Sequence, residues 1–263
     1  MANEVLPPEI PHSRENTIHF FTDFIHKNQA ALRGKVVADL SAGSGFIANL
    51  FLEAGATVML YDLFPSENIF CPISCQKIDL QQPFPIQTHS VDWVICAETL
   101  EHLPNQFFFF QEVGRICKPG GNFILTTPNT SSLRSRFSQF LMESEHYTAP
   151  LPNELNAYTP WGGDDKGYFS KLFMSGILRI RTLAALQNLR IQKIYRTRYS
   201  STSVWLLIFY PWIYYFNLKN RKRQVKNDPA HESIYHEIFS ISTSMKVLLS
   251  KHMIIHFTRL AGK

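Results

Sequence analysis

A glycine-rich turn preceded by a carboxylate is the first stretch of the sequence that could carry out chemistry. Residues 37–46, VADLSAGSGF, change from apolar to small directly after Asp39. Gly43 and Gly45 have no Cβ atom and can adopt positive φ angles, so the turn can lie against a ligand with its amides near the start of the next helix. These residues predict a nucleotide-binding turn.

The position of Asp39 limits the classes of nucleotide that this turn is expected to bind. Residues 43–48 also match the dinucleotide pattern G-x-G-x-x-A, and Asp62 follows at about the distance of a ribose-binding carboxylate. In the dinucleotide fingerprint, however, the first glycine comes directly after the strand, and no carboxylate precedes it to repel the pyrophosphate. Asp39 therefore favours a ligand that carries positive charge, such as a sulfonium.

A second reactive group lies in the sequence ETLEHL, which contains Glu98, Glu101 and His102. A histidine has an ordinary pKa of about 6.5 and can accept a proton from a hydroxyl substrate near neutral pH. Alternatively, His102 caps or orients the helix that follows. The three side chains could also hold a divalent ion, but two carboxylates and one imidazole this close together also bind backbone and water. No metal ligand is therefore predicted.

Alternating strands and helices must bring these residues together. Five strands are predicted first, at residues 35–40, 57–61, 76–79, 91–98 and 122–127. Helices are predicted at 18–27, 46–53, 106–117 and 178–189, and two further strands at 191–196 and 251–260. This alternation predicts an α/β fold, a Rossmann-like doubly wound, mainly parallel seven-stranded sheet with helices on both faces. Ligands bind beyond the carboxyl ends of such strands, where residues 39–45, 62, 79 and 97–102 should meet.

Five blocks between residues 35 and 200 occur in an order that resembles the class I S-adenosylmethionine-dependent methyltransferases. They are VADLSAGSG, VMLYD, KIDLQQPFP, SVDWVICAETLEHLPN and RICKPGGNFILTTPN. The last two are especially similar to the branch with ubiquinone-pathway O-methyltransferases and bacterial enzymes that modify glycans, lipids or small metabolites. The resemblance implies methyl transfer, with O-methylation of such an acceptor expected. Ser41 departs from the family, which usually has glycine there, and this departure is expected to lower cofactor affinity.

The resemblance also implies a role for each residue of the predicted site, with S-adenosyl-L-methionine as the cofactor. Asp39 would organise the amino-acid end of the cofactor, and Asp62 would accept both ribose hydroxyls. The remaining cofactor-binding residues would be Ser41, Gly43, Gly45, Asp79, Leu80 and Ala97, with Asp79 and Leu80 beside the adenine. His102 would be the catalytic base.

Simpler interpretations remain for the three aspartates: Asp39 as a helix cap, Asp62 as a surface charge at a strand end, and Asp79 as a turn residue. Two other functions also remain. One is a cofactor-binding scaffold without catalysis, which the departure at Ser41 favours, and the other is an NAD(P)-dependent enzyme, which only the G-x-G-x-x-A match favours.

Composition and charge limit the compartment and the partners. The chain has 263 residues, 45% of them hydrophobic, and a net charge of +5. Five cations fall between residues 219 and 226, a footprint narrower than nucleic-acid binding requires, so no nucleic-acid partner is expected. The first residues have proline and charge where a signal peptide has an apolar core, which predicts a cytoplasmic protein with reduced thiols.

Three segments are predicted along the chain. Residues 1–200 would form the cofactor-binding core, with an N-terminal helix and an acceptor loop at 128–168. Residues 201–230 would be an apolar and basic insertion, and 231–263 would complete the sheet. Within the loop, four side chains are candidate acceptor contacts: His146, Tyr147, Tyr158 and Trp161.

An apolar run followed by cations marks residues 204–226. The run is too short to cross a bilayer, which takes about 20 residues. Its aromatic residues, Trp205, Trp212, Tyr214 and Tyr215, are of types that favour a membrane interface, and the nearby cations would attract anionic headgroups. The segment is therefore predicted to attach peripherally to the inner face of a membrane. The alternative is a buried hairpin or a dimer contact.

Overall fold

A seven-stranded sheet forms the centre of the computed structural model, which describes residues 15–65, 68–144, 151, 153–160 and 167–261. Its strands lie in the order β3-β2-β1-β4-β5-β9-β8. They are β1 (Val36–Asp39), β2 (Thr57–Asp62), β3 (Cys75–Lys77), β4 (Val91–Ala97), β5 (Cys117–Pro128), β8 (Leu189–Tyr195) and β9 (His252–Arg259). All neighbours are parallel except β9, which runs antiparallel to both β5 and β8. The predicted Rossmann-like sheet is confirmed.

Nine helices are described around this sheet: α1 (Glu15–Leu32), α2 (Phe46–Glu53), α3 (Gln106–Ile116), α4 (Leu133–Met142), α5 (Ile177–Leu186), α6 (Ser201–Trp205), α7 (Tyr210–Asn227), α8 (Glu232–Ser242) and α9 (Met245–Leu249). Two apolar clusters show which faces they cover. Phe21 of α1 and Phe51 of α2 pack with Val37, whereas Phe110 of α3 packs with Ala38. Consecutive residues of β1 thus point into different cores, and helices cover both faces.

Several boundaries differ from the sequence-based expectation. Helix α1 extends to Leu32, which is fully buried, so its apolar stripe continues beyond the predicted end at residue 27. Strand β5 begins at Cys117 rather than at 122, and residues 118–121 form an irregularity between two paired regions. Gly120 lies there with φ 77°, a left-handed conformation that glycine adopts without strain. A small hairpin of β6 (Tyr158–Pro160) and β7 (Gly167–Phe169) was not predicted.

One edge of the sheet gathers the ends of the strands that matter for function. Strands β1, β2 and β4 end there at Asp39, Asp62 and Ala97. Because β9 is antiparallel to its neighbours, it begins at this same edge, and β8 ends there. In the described part of the chain, no helix combines the length and the apolar character needed to cross a membrane.

Candidate active site

The turn after β1 has the backbone geometry that its glycines predict. Gly43 has φ 50°, and Gly45, which precedes α2 as its N-cap, has φ 80°. A Cβ atom at Gly45 would also overlap the side-chain oxygen of Asn68. The amide of Ala42 donates to the carbonyl of Tyr61 at 3.0 Å, which fixes the turn against β2. Gly45 is therefore required both by its φ angle and by close packing.

Ser41 uses its hydroxyl to join the turn to the end of β4. Its Oγ accepts a hydrogen bond from the amide of Ala97 at 2.8 Å and donates to the carbonyl of Ala97 at 3.3 Å. Ser41 is not among the residues with positive φ, so a side chain is tolerated at this position. The serine that departs from the family pattern thus has a structural role, and it brings two predicted cofactor-binding residues together.

Asp39 is a buried carboxylate at the base of the turn, with 1% of its surface exposed. Its Oδ1 accepts a hydrogen bond from the amide of Ser41 at 3.2 Å. Burial raises the pKa of Asp39 from 3.8 to about 7, and the charge of Asp62 adds to this rise against the effect of the Ser41 amide. A cation placed here would favour the ionised form of Asp39. The site is therefore electrostatically suited to a positively charged ligand.

Asp62 holds two backbone segments with one carboxylate. Oδ2 accepts from the amide of Gly43 at 2.8 Å, and Oδ1 accepts from the amide of Phe64 at 2.8 Å. Each carboxylate oxygen has a further lone pair, so these bonds leave acceptor capacity for two hydroxyl groups. Asp62 thus both shapes the glycine turn and presents acceptors at the edge of the sheet.

Asp79 and Leu80, the predicted adenine contacts, lie beyond the end of β3. Asp79 is exposed, and its Oδ1 accepts from the amide of Gln81 at 2.9 Å, as in an Asx turn. Leu80 is 6% exposed and packs in the core that covers the α3 face of the sheet. Among the contacts of the described residues, none joins Asp79 to the glycine turn.

Two buried glutamates follow β4. The Oε1 of Glu98 accepts from the hydroxyl of Thr126 at 2.8 Å, and its Oε2 lies 3.4 Å from Nδ1 of His252. Burial acts to raise the pKa of Glu98, but the interactions with His252 and Thr126 outweigh it and leave that pKa lowered. Burial and the charge of Glu98 raise the pKa of Glu101 to about 7. The two carboxylates therefore differ in how readily they take up a proton.

His102 has the geometry of a neutral base. Its Nδ1 lies 2.6 Å from the carbonyl oxygen of Phe169, and because a carbonyl only accepts, this nitrogen carries the hydrogen. The other nitrogen, Nε2, is then unprotonated in the neutral ring and lies 4.0 Å from Oε1 of Glu101. Burial lowers the pKa of His102, although the Phe169 carbonyl acts in the opposite direction. The neutral form is thus favoured at physiological pH.

Tyr168 and Lys171, which sequence reasoning did not identify, contact residues that follow β2 and β4. The Tyr168 ring meets the His102 ring edge-on at 5.0 Å between centroids and lies 6.1 Å from the ring of Phe64. Lys171 places its Nζ 3.6 Å from Oε1 of Glu101, an oxygen that accepts no hydrogen bond from the residues the structure describes. Both residues lie in an aromatic-rich segment without helical or strand periodicity, so the sequence did not indicate these contacts.

Some predicted features lie elsewhere or outside the structure's description. His146, Tyr147 and Trp161 are outside the described residues, while Tyr158 lies in β6 with its ring 6.1 Å from that of Phe169. In the described ranges, no group of three or more His, Cys, Asp or Glu side chains is arranged to hold a metal ion.

Comparison with protein families identifies the kind of domain that carries this candidate site. Residues 38–125 match a family model described as a methyltransferase domain, a span that includes every predicted cofactor-binding residue and His102. The chain contains a class I methyltransferase domain. Magnesium protoporphyrin IX methyltransferase from Synechocystis, solved with bound SAH, matches 97% of this chain and 90% of its own at a TM-score of 0.54 and 12% identity. A likeness at this identity shows that the domain has the same fold.

Sequence relatives of the methyltransferase domain are distant and cover it in part. An uncharacterized methyltransferase of Mycobacteroides abscessus is 30% identical over 124 residues, 43% of this chain and 47% of the relative. A ubiquinone biosynthesis O-methyltransferase of Xanthomonas oryzae pv. oryzae is 27% identical over 136 residues, 48% of this chain and 56% of the relative. The chain thus spans about half the length of the curated relatives it matches.

Proposed function

We propose that this domain binds S-adenosyl-L-methionine and catalyses methyl transfer to a hydroxyl group of a small-molecule, glycan or lipid-linked acceptor. The observation that carries the proposal is a glycine turn with a buried carboxylate, Asp39, at its base and Asp62 bonded to its amide, which together suit a cationic nucleoside. His102, whose Nδ1 bonds the Phe169 carbonyl and leaves Nε2 unprotonated, follows β4, the strand whose end Ser41 joins to this turn. The ubiquinone biosynthesis O-methyltransferase among the relatives supports oxygen as the accepting atom.

The residues of the turn fit this cofactor by charge and by shape. Asp39 would face its positively charged end, because a buried carboxylate with a raised pKa gains most from a nearby cation. Asp62 would accept from the ribose hydroxyls with the lone pairs that its two amide bonds leave free. When bound, the cofactor supplies an electrophilic methyl group on a sulfonium. The protein must therefore position the acceptor and remove its proton in a site shielded from water.

His102 would take the proton from the acceptor hydroxyl at Nε2. As the ring becomes charged, its Nδ1–H bond to the carbonyl of Phe169 strengthens, and Glu101 faces the new charge from 4.0 Å. Burial lowers the pKa of His102 most, and the charge of Lys171, whose Nζ lies 3.6 Å from Oε1 of Glu101, lowers it further, so the resting histidine is neutral. Tyr168 covers one edge of the imidazole and limits the access of water.

Two measurements test the proposal in order. Calorimetry with S-adenosylmethionine, its demethylated product and NAD should show binding of the first two, whereas a preference for NAD would establish the nicotinamide-dependent alternative. Incubation with radiolabelled S-adenosylmethionine and separate panels of phenolic, glycan and lipid-linked acceptors should then label one panel at a hydroxyl. Cofactor binding with no transfer to any panel would favour the scaffold, and transfer to nitrogen or carbon would refute the assignment of the accepting atom.

A further inference from the structure

The helical segment after β8 is buried on one side. Leu206 and Leu207, in a short 3-10 turn between α6 and α7, pack with Tyr210 and Ile213 of α7 against a small cluster of Leu133, Leu248 and Leu249. This contact accounts for one apolar side of the segment and anchors it to the domain. The segment is helical, and it is buried on this side.

A second apolar side of the same segment faces outward. We call it the outer stripe, and its exposed residues are Trp205, Ile208, Phe209, Trp212, Tyr215 and Phe216. Trp205 is 85% exposed and Trp212 is 58% exposed. Trp212 comes three and four residues before Tyr215 and Phe216, so these three share one face of α7, and the ring of Phe209 lies 6.4 Å from that of Trp212. Tyr214, which the sequence placed with these aromatics, is also exposed, at 42%, but its ring contacts that of Phe239 of α8 at 5.3 Å between centroids.

Cations continue the outer stripe along α7. Lys219, Arg223 and Lys226 follow Phe216 at steps of three or four residues, and all three are exposed. Helix α7 contains no Asp or Glu. Among the ion pairs of the described residues, none involves these three cations. The face thus joins an aromatic half to a basic half whose three cations form no ion pair with any carboxylate that the structure describes.

We propose that the outer stripe and these cations form a docking surface for an anionic phospholipid bilayer. Tryptophan and tyrosine place apolar rings in the headgroup region and keep their polar atoms hydrated, and cations on the same helical face reach lipid phosphates. A second copy would present the same face, whose helix α7 has no carboxylate, so a symmetric contact would leave these cations without partners of opposite charge. An anionic lipid surface can take up the aromatic rings in its headgroup region and bind the cations through its phosphates.

The position of the surface relates it to the candidate active site. Helix α6 follows β8, whose carboxyl end lies at the same edge of the sheet as Asp39. Docking would therefore bring this edge near the bilayer. The inference does not depend on methyl transfer, because it concerns binding alone.

Co-sedimentation with vesicles tests the proposal on the intact chain. Vesicles of phosphatidylcholine alone are compared with vesicles of equal parts phosphatidylcholine and phosphatidylglycerol. Each is measured at about 0.1 M and about 1 M salt, where the Debye length is about 10 Å and about 3 Å. We expect binding that increases with the anionic lipid and weakens at high salt. No sedimentation of the intact protein with anionic vesicles at low salt would overturn the proposal.

Two variants separate the aromatic and the charged contributions. Replacing Lys219, Arg223 and Lys226 by Gln should lower the partition coefficient for anionic vesicles by roughly 100-fold at low salt. Trp205→Ser combined with Trp212→Ser should lower binding to anionic vesicles by roughly 10-fold or more even at high salt. All of these side chains are exposed, so the melting temperature should stay unchanged.

Matched controls exclude general effects. Replacing the exposed residues Lys27, Arg33 and Lys35 by Gln removes the same charge away from the stripe and should leave most binding intact. Leu186→Ser removes an exposed apolar residue at the end of α5, beside the opposite edge of the sheet. Equal losses in the controls would refute a specific surface. So would light scattering that shows a dimer in the intact protein and a monomer in the double tryptophan variant.

Discussion

Asp39 should make the protein without cofactor less stable than an asparagine variant at neutral pH. The pKa of its carboxyl group is 3.8 ordinarily and about 7 in the folded chain. The stability that the protonated group supplies is therefore fully present below about pH 4 and is lost as the pH rises through about 7. Above that pH the folded protein carries a buried, ionised carboxylate beside the charge of Asp62.

The size of this loss of stability follows from the difference between the two pKa values of Asp39. Each pH unit between the two pKa values costs about 1.4 kcal/mol, so the free energy of unfolding should fall by about 3 kcal/mol more in the native protein than in Asp39→Asn between about pH 5 and about pH 8. The asparagine oxygen retains the bond to the amide of Ser41, which limits structural loss. Glu101 titrates in the same range but is present in both proteins, so their difference isolates Asp39.

Urea denaturation at several pH values measures this difference, and calorimetry supplies the functional counterpart. We expect Asp39→Asn to bind S-adenosylmethionine about tenfold or more weakly, because a charged partner is lost. Binding to the native protein near pH 7 should release protons, since a cation favours the ionised carboxylate. Identical pH dependence of stability in the two proteins would show that Asp39 has an ordinary pKa and would refute the reasoning.

Four further variants follow from the geometry of the site. Asp62→Ala should weaken binding of the demethylated cofactor by on the order of 2 kcal/mol in calorimetry, and Asp79→Ala, which removes an exposed carboxylate, should have less effect. His102→Ala should lower turnover by roughly 100-fold while cofactor affinity remains, and unchanged turnover would leave His102 with a structural role. Ser41→Ala should lower the free energy of unfolding by about 1 kcal/mol or more, measured by urea denaturation, because the amide of Ala97 loses its acceptor.

The sequence predicts the cofactor side of the site better than the acceptor side. Asp39, Asp62 and Ala97 end three parallel strands, β1, β2 and β4, and the alternation of strands and helices alone places such ends at one edge. Tyr168 lies 66 residues after His102 in a segment without helical or strand periodicity, so only the folded loop shows their contact. Composition likewise identified the aromatics after residue 204, but the contact of Tyr214 with Phe239 depends on α8, a helix that local pattern does not relate to it.

The antiparallel strand β9 has a consequence for how the chain folds during synthesis. Strand β8 pairs with β9 in the described sheet, and β9 lies between β8 and β5 although it is made after both. Until residues 252–259 leave the ribosome, β5 exposes an unpaired edge and β8 has no strand beside it. We therefore expect nascent chains that stop before β9 to be protease-sensitive and prone to edge-to-edge aggregation. Completion of the sheet, including the edge that holds Asp39, awaits the last strand.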